Sequence, residues 1–238
     1  MLARALRHAS VRVAFTGRDG GVSTPPYDTL NLADHVGDDP AAVAANRNRL
    51  AGAVGVPATD LVWMDQVHGP QVAVVDTAPA RPPRADALVT SRPGLVLGVL
   101  VADCVPLLLA DPERGIVAAV HVGRRGLVAG VVPAAVEAVH RLGGADLIAW
   151  RGPSVCPGCY EVPAAMRDEV THVVPAAWAS TRSGTPAVDL AAGVDAQLAH
   201  AGVPVHPAGG CTREHDEWYS YRRDGRTGRQ AGLIWIDR

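Results

Sequence analysis

The amino-acid sequence predicts a mixed α/β (α+β) fold, layered and formed as a single domain over 1-238. Three observations lead there. Residues 95–101, 105–109 and 116–121 are almost continuously apolar, the pattern of strands covered on both faces. Segments with helical periodicity and helix-ending residues flank these runs. No repeat, low-complexity tract or long linker divides the chain, and the best loop candidate, 77–84, is too short to separate domains.

Taken in order, residues 11–15 are β-branched and alternating, which reads as a strand. Asp39 suits a helix N-cap and Pro40 the first turn, with Val43, Leu50 and Val54 on one apolar face up to about Gly55. Residues 61–67 and 71–75 read as strands around a turn at Gly69 and Pro70. The three apolar runs follow. Residues 127–141 are expected as one helix closed by Gly143 and Gly144. Residues 147–150 read as a strand, 163–173 and 190–201 as helices, and 233–236 as the last strand.

Apolar residues make up 48% of the chain, enough for a substantial core and too many for a disordered or fibrous protein. All 22 basic residues are arginine and alanine is abundant, which reads as the bias of a GC-rich genome. The formal net charge of −2 gives no general attraction for nucleic acid. Residues 1–12 lack the apolar stretch of a signal peptide, and the run 95–110 is interrupted by Asp103 and too short to span a bilayer. The expectation is a soluble cytoplasmic protein with no nucleic-acid or membrane partner. Cys104, Cys156, Cys159 and Cys211 are then thiols or ligands rather than disulfides.

Five constellations carry possible chemistry. His68, Cys104 and His121 each end an expected buried strand, where α/β folds place their sites. Two imidazoles and a thiolate suit zinc or copper and leave a coordination position open. The three form no local motif, however, and histidine rings often only satisfy backbone groups, so spacing alone does not make a metal site. Arg18, in a loop with Gly20 and Gly21, suits an anion or is a surface arginine on a hairpin. Arg124 and Arg125 precede a helix, and read either as a phosphate seat or as solvated arginines of a strand–helix turn. Cys156 and Cys159 could be a redox pair or half of a structural zinc site, but Gly152, Pro153 and Pro163 around them do not suit a thioredoxin motif and no second C-x-x-C exists, so they read as thiols in a loop. Residues 220–229 hold Arg222, Arg223, Arg226 and Arg229 beside Trp218, Tyr219 and Tyr221, either a grip for a phosphorylated heterocycle or a solvated charge run.

Together these segments resemble one family, the bacterial multicopper-polyphenol-oxidase-like or laccase-domain family, also described as peptidoglycan editing factor and as purine nucleoside phosphorylase. The matching pieces are FTGRDGGVSTPPYDTLNL, GDDPAAVAANRNRL, MDQVHGPQV, ADALVT, ADCVPLLLAD, HVGRRG, GPSVCPGCYEV and CTREHDEWYSYRRDGRTGRQAGLIWI, and they span nearly the whole chain. The resemblance implies His68, Cys104 and His121 as ligands of zinc, or of copper as a variant, in a mixed α/β sandwich unlike the cupredoxin barrel. It implies phosphorolysis of adenosine, inosine, guanosine and methylthioadenosine, with deamination of adenosine. The chain departs from the family where Arg124 replaces a usual Trp, where Gly17 stands between Thr16 and Arg18, and where Trp218 and Tyr219 precede Ser220.

On this reading purine nucleoside and phosphate are the partners. Arg18 and Arg125 would hold phosphate, Asp103 would accept a proton or orient a ligand, and Gln66 would hydrogen-bond substrate or water. Arg222, Arg223 and Arg229 would close over the nucleoside. Three other functions use the same residues differently. Copper-dependent polyphenol oxidation needs several coppers, and the remaining histidines, His8, His35, His140, His172, His200, His206 and His215, form no His-x-His pair. A hydrolase editing peptidoglycan precursors would use Cys104 as nucleophile and His121 as base. A non-catalytic partner of an envelope or division factor would need only an exposed apolar patch.

Overall fold

The buried strands are apolar on both faces because two sheets pack on each other and each is also covered on its outer side. A computed structural model describes residues 1–238. The first part of the chain forms β1 (Leu2–His8), β2 (Val11–Thr16), α1 (Pro40–Val54), β3 (Leu61–Val62), β4 (Val72–Val74), β5 (Ala87–Thr90), β6 (Val96–Val101), β7 (Val105–Asp111) and β8 (Ile116–Val122). There follow α2 (Arg124–Ala129), α3 (Val131–Arg141), β9 (Ile148–Arg151), α4 (Ala164–Val173), β10 (Trp178–Ser180) and β11 (Pro186–Val188). The chain finishes with α5 (Leu190–His200), β12 (Val205–Pro207), α6 (Tyr221–Asp224) and β13 (Gln230–Ile236).

One sheet has the order β1-β2-β13-β6-β3 and the other β12-β9-β7-β8-β5-β4, with β10 and β11 as a separate hairpin. Most neighbours are antiparallel, but β3–β6, β4–β5 and β9–β12 are parallel, so both large sheets are mixed. Alternation along each strand sorts side chains into layers. Val117 and Ala119 of β8, with Leu108 and Ala110 of β7, pack against Val13, Leu97, Val99 and Ile234 of the other sheet. Ile116, Ala118 and Val120 point the opposite way, onto α3 and α5 through Val132, Val136, Val194 and Leu198. On the far side, Ala14, Leu100 and Leu233 pack with Leu50 and Ala51 of α1. The result is a four-layer sandwich, helix–sheet–sheet–helix, in which neither sheet closes into a barrel of the cupredoxin kind. No helix is long and apolar enough to cross a membrane.

Several boundaries follow the expected chemistry. The Asp39 side chain accepts from the Ala41 amide at 2.9 Å, and Gly55 ends α1 in the left-handed region. The helices α4 and α5 fall within a residue of 163–173 and 190–201. Three expectations are corrected. The single helix over 127–141 is two helices, because Gly130, at φ +83°, caps α2 in the left-handed region, while Pro133 suits the first turn of α3. The strand over 61–67 stops at Val62, and beyond it only Asp65 makes an isolated bridge, to Arg84. Finally, β1 was not anticipated: nearly every residue of it is exposed, its Leu and Ala mix with Arg4, Arg7 and His8 without regular alternation, and it is held at the sheet edge by β2 alone.

Candidate metal centre

The alternation that builds the core also aims the site. Positions 117, 119 and 121 of β8 face the layer between the sheets, as do positions 104, 108 and 110 on and beside β7. The register sets Pro106 against His121 and Val105 against Val122, which brings Cys104 to the level of Gly123. The third member, His68, arrives on the loop before β4, with φ at +59°. The ligand atoms of His68, Cys104 and His121 all lie within 4.8 Å of one another. The two imidazoles meet edge to face, centroids 4.7 Å apart at 88°. Gly123 is required here: a Cβ would stand 2.9 Å from the His68 ring and 3.1 Å from the Cys104 sulfur.

Asp86, fully buried just before β5, ties these parts together. Its Oδ1 accepts from the His68 amide at 2.9 Å and lies 2.8 Å from Nδ1 of His121. Its Oδ2 accepts from the amides of Val67 and Gly69, at 3.1 and 2.8 Å. With Nδ1–H donating to this carboxylate, Nε2 is the ring nitrogen left with a lone pair for a metal. Burial pushes the Asp86 carboxyl up, but His121 and the amides of Gly69 and His68 outweigh it and hold it below the usual range. Burial also raises the Cys104 thiol, and His121 and His68 reverse this to about 6. Burial lowers His121, and Cys104 and Asp86 overcome that to bring it up to about 9. One thiolate and two imidazoles, one oriented by a carboxylate behind it, are a donor set that fits zinc or copper.

The trio opens into a cavity of about 370 Å³. Gln66, Asp103, Arg222 and Arg229 line it, as expected, together with His35, Tyr160 and Tyr221. Each makes definite contacts there. Both ends of the Gln66 amide are taken by the Leu100 backbone, at 2.8 and 2.9 Å, so this side chain continues the sheet edge. Asp103, at φ +89°, accepts from Thr212 Oγ1 and Ser220 Oγ at 2.7 Å and from the Arg222 amide at 2.5 Å. It fastens the 212–222 segment over the site. The Arg222 guanidinium lies 5.0 Å from the Tyr160 ring centre. The Arg229 guanidinium donates to the carbonyls of Thr227 and Gly228.

Arg18, Arg125 and Arg223 do not line the cavity. Arg18 is spent on the carbonyl and carboxylate of Asp28, at 3.0 and 2.9 Å, and lies over the Tyr219 ring. Arg223 pairs with Asp224 and donates to the carbonyls of Thr212, His215 and Trp218. Arg125 is exposed on α2. Asp86 was missed by the sequence reading, although a carboxylate set between Ala85 and Ala87 at the head of an apolar strand had to find a partner. Tyr221 belongs to the arginine–aromatic run already read from the sequence, whereas no local pattern marks His35 or Tyr160.

Residues 12–237 match the family model for the multi-copper polyphenol oxidoreductase laccase. A Streptomyces coelicolor protein named purine nucleoside phosphorylase is 58% identical over 234 residues, covering 94% of this chain and 94% of that protein. One of the same name from Streptomyces griseus is 56% identical, covering 96% and 95%. The crystal structure of YlmD from Geobacillus stearothermophilus superposes with a TM-score of 0.92 at 31% identity, covering 99% of this chain and 97% of that one.

Proposed function

The chain belongs to the multi-copper polyphenol oxidoreductase laccase family, and from that premise we propose that it is a zinc-dependent purine nucleoside phosphorylase that also deaminates adenosine. The observation that carries this reading is the cavity itself: a Cys–His–His donor set at its floor, with two guanidinium groups and an aromatic ring in its wall. The relatives named purine nucleoside phosphorylase support it. The volume falls at the small end of small-molecule sites, roughly 300–1,000 Å³.

His68, Cys104 and His121 would hold the ion, and zinc would supply Lewis acidity at the cavity floor. Asp86 keeps His121 in the tautomer that offers Nε2. Arg222 and Arg229 present forked donors to phosphate, and Tyr160 offers a face for the purine. In phosphorolysis a phosphate oxygen attacks the anomeric carbon, the bond to the purine nitrogen breaks, and the purine leaves with a proton. In deamination water adds to the carbon bearing the amine and ammonia leaves. Asp103 acts by holding Ser220 and the Arg222 backbone in place. Adenosine, inosine, guanosine and methylthioadenosine are the proposed substrates, and the cytoplasm is the proposed location. Oxidation of phenols at several coppers is less favoured, because no histidine outside the trio joins a ligand cluster.

One other reading has an observation behind it. Cys104, His121 and Asp86 form the row of nucleophile, base and orienting carboxylate that a cysteine hydrolase needs. His68→Ala separates the two. On the metal reading this variant loses the ion of this centre, seen by mass spectrometry as one zinc fewer than the wild type, and stops releasing hypoxanthine from inosine and phosphate. Retained turnover without an ion at this centre sinks the zinc scheme.

A further inference from the structure

The C-x-x-C pair of the sequence has partners 55 residues away. Cys211 and Glu214, themselves three residues apart, face Cys156 and Cys159, and the four ligand atoms lie within 4.8 Å of one another. Oε1 of Glu214 accepts from Cys159 Sγ at 3.0 Å and from Cys156 Sγ at 3.5 Å, while the Cys156 amide donates to Cys211 Sγ at 3.3 Å. All three cysteines are free thiols. The missing second C-x-x-C is thus present as C-x-x-E. Two such pairs on separate loops, converging on one point, are the arrangement of structural zinc sites, whose tetrahedral ligand atoms stand roughly 3.8 Å apart when bonds are ~2.3 Å. We propose that Cys156, Cys159, Cys211 and Glu214 bind a structural zinc ion, distinct from the His68–Cys104–His121 centre.

The site joins two loops. They share one isolated bridge, Ser154 to Cys211, and a small apolar cluster of Val155, Cys159 and Cys211 with Cys156 and Tyr160 against it. An ion held from both loops would add a further tie to these contacts. On binding, the three thiols release their protons to solvent. Three thiolates and a carboxylate around a divalent ion leave an excess of two negative charges, and Arg182 meets part of it by pairing with Glu214. The ion would sit one residue from Thr212, whose hydroxyl holds Asp103 and whose amide donates to Ser154. It would therefore brace the wall of the cavity from outside, whatever reaction the cavity performs.

The test is a metal count on the full chain, purified under reducing conditions after growth with added zinc. Native mass spectrometry should find two zinc ions per chain in the wild type and one in His68→Ala. The double variant His68→Ala/Glu214→Ala should lose the remaining ion. Should the double variant fail to fold, cobalt(II) loaded into His68→Ala reports directly, through strong thiolate-to-cobalt charge-transfer absorption and a tetrahedral visible spectrum. One zinc in the wild type and none in His68→Ala overturns the proposal, as does a Cys156–Cys159 or Cys156–Cys211 disulfide in the zinc-loaded protein.

Discussion

At the scale of single residues, Asp86 joins the two halves of the metal centre, since one carboxylate accepts hydrogen bonds from the His121 ring and from three amides of the His68 loop. Asp86→Asn turns one acceptor into a donor that must face N–H groups. Zinc affinity at the trio should fall about 10–100-fold, read by chelator competition. An unchanged affinity would show that the carboxylate does not orient the ligands. The strand-end positions of Cys104 and His121 were readable in the sequence, because apolar runs stop there. The free or spent state of each arginine was not. Arg18, Arg125, Arg222, Arg223 and Arg229 look alike in sequence, and only the fold shows that Arg18 and Arg223 are consumed by nearby oxygens while Arg222 and Arg229 reach the cavity. The C-x-x-C pair was discounted for a similar reason. Its complement uses a glutamate, which no cysteine pattern marks.

At the scale of elements, Asp111 at the end of β7 pins two connections. Its oxygens accept from the amides of Glu113 and Arg114 in the β7–β8 turn and from those of Ala145 and Asp146 before β9. Burial works to raise its pKa, and these four amides more than reverse that and hold it low. A carboxyl with a lowered folded pKa adds stability above roughly pH 4, and that stability is lost as pH falls through the folded value. Asp111→Asn should therefore cost about 1–3 kcal/mol at neutral pH in urea unfolding. The gap between variant and wild type should narrow as the solution is acidified, and a gap independent of pH would argue against this role. The Asp39 cap announces itself locally, which is why the start of α1 was legible. The break at Gly130 was not, because the apolar periodicity runs straight through it and only the backbone angle separates α2 from α3.

At the scale of the whole molecule, the two sheets meet through side chains such as Leu108, which is wholly buried among Val13, Leu97 and Ile234. Leu108→Ala should lower stability by about 2–5 kcal/mol, seen as a shift of the urea midpoint at constant slope. A smaller loss would mean that the layer between the sheets can collapse around the gap. Continuous apolar runs told that both faces of β6, β7 and β8 are covered. They could not tell by what, because a helix and a second sheet present the same apolar surface to a strand. Strand order was equally hidden: β13 enters the first sheet between β2 and β6, far from both in sequence. That position has a consequence for synthesis. Every strand of the six-stranded sheet has left the ribosome once residue 207 has emerged, whereas β2 and β6 wait for residues 230–236 before they share a partner. The half carrying Cys104 and His121 has all its strands by residue 207, and the wall carrying Arg222 and Arg229 is set only when β13 slots into place.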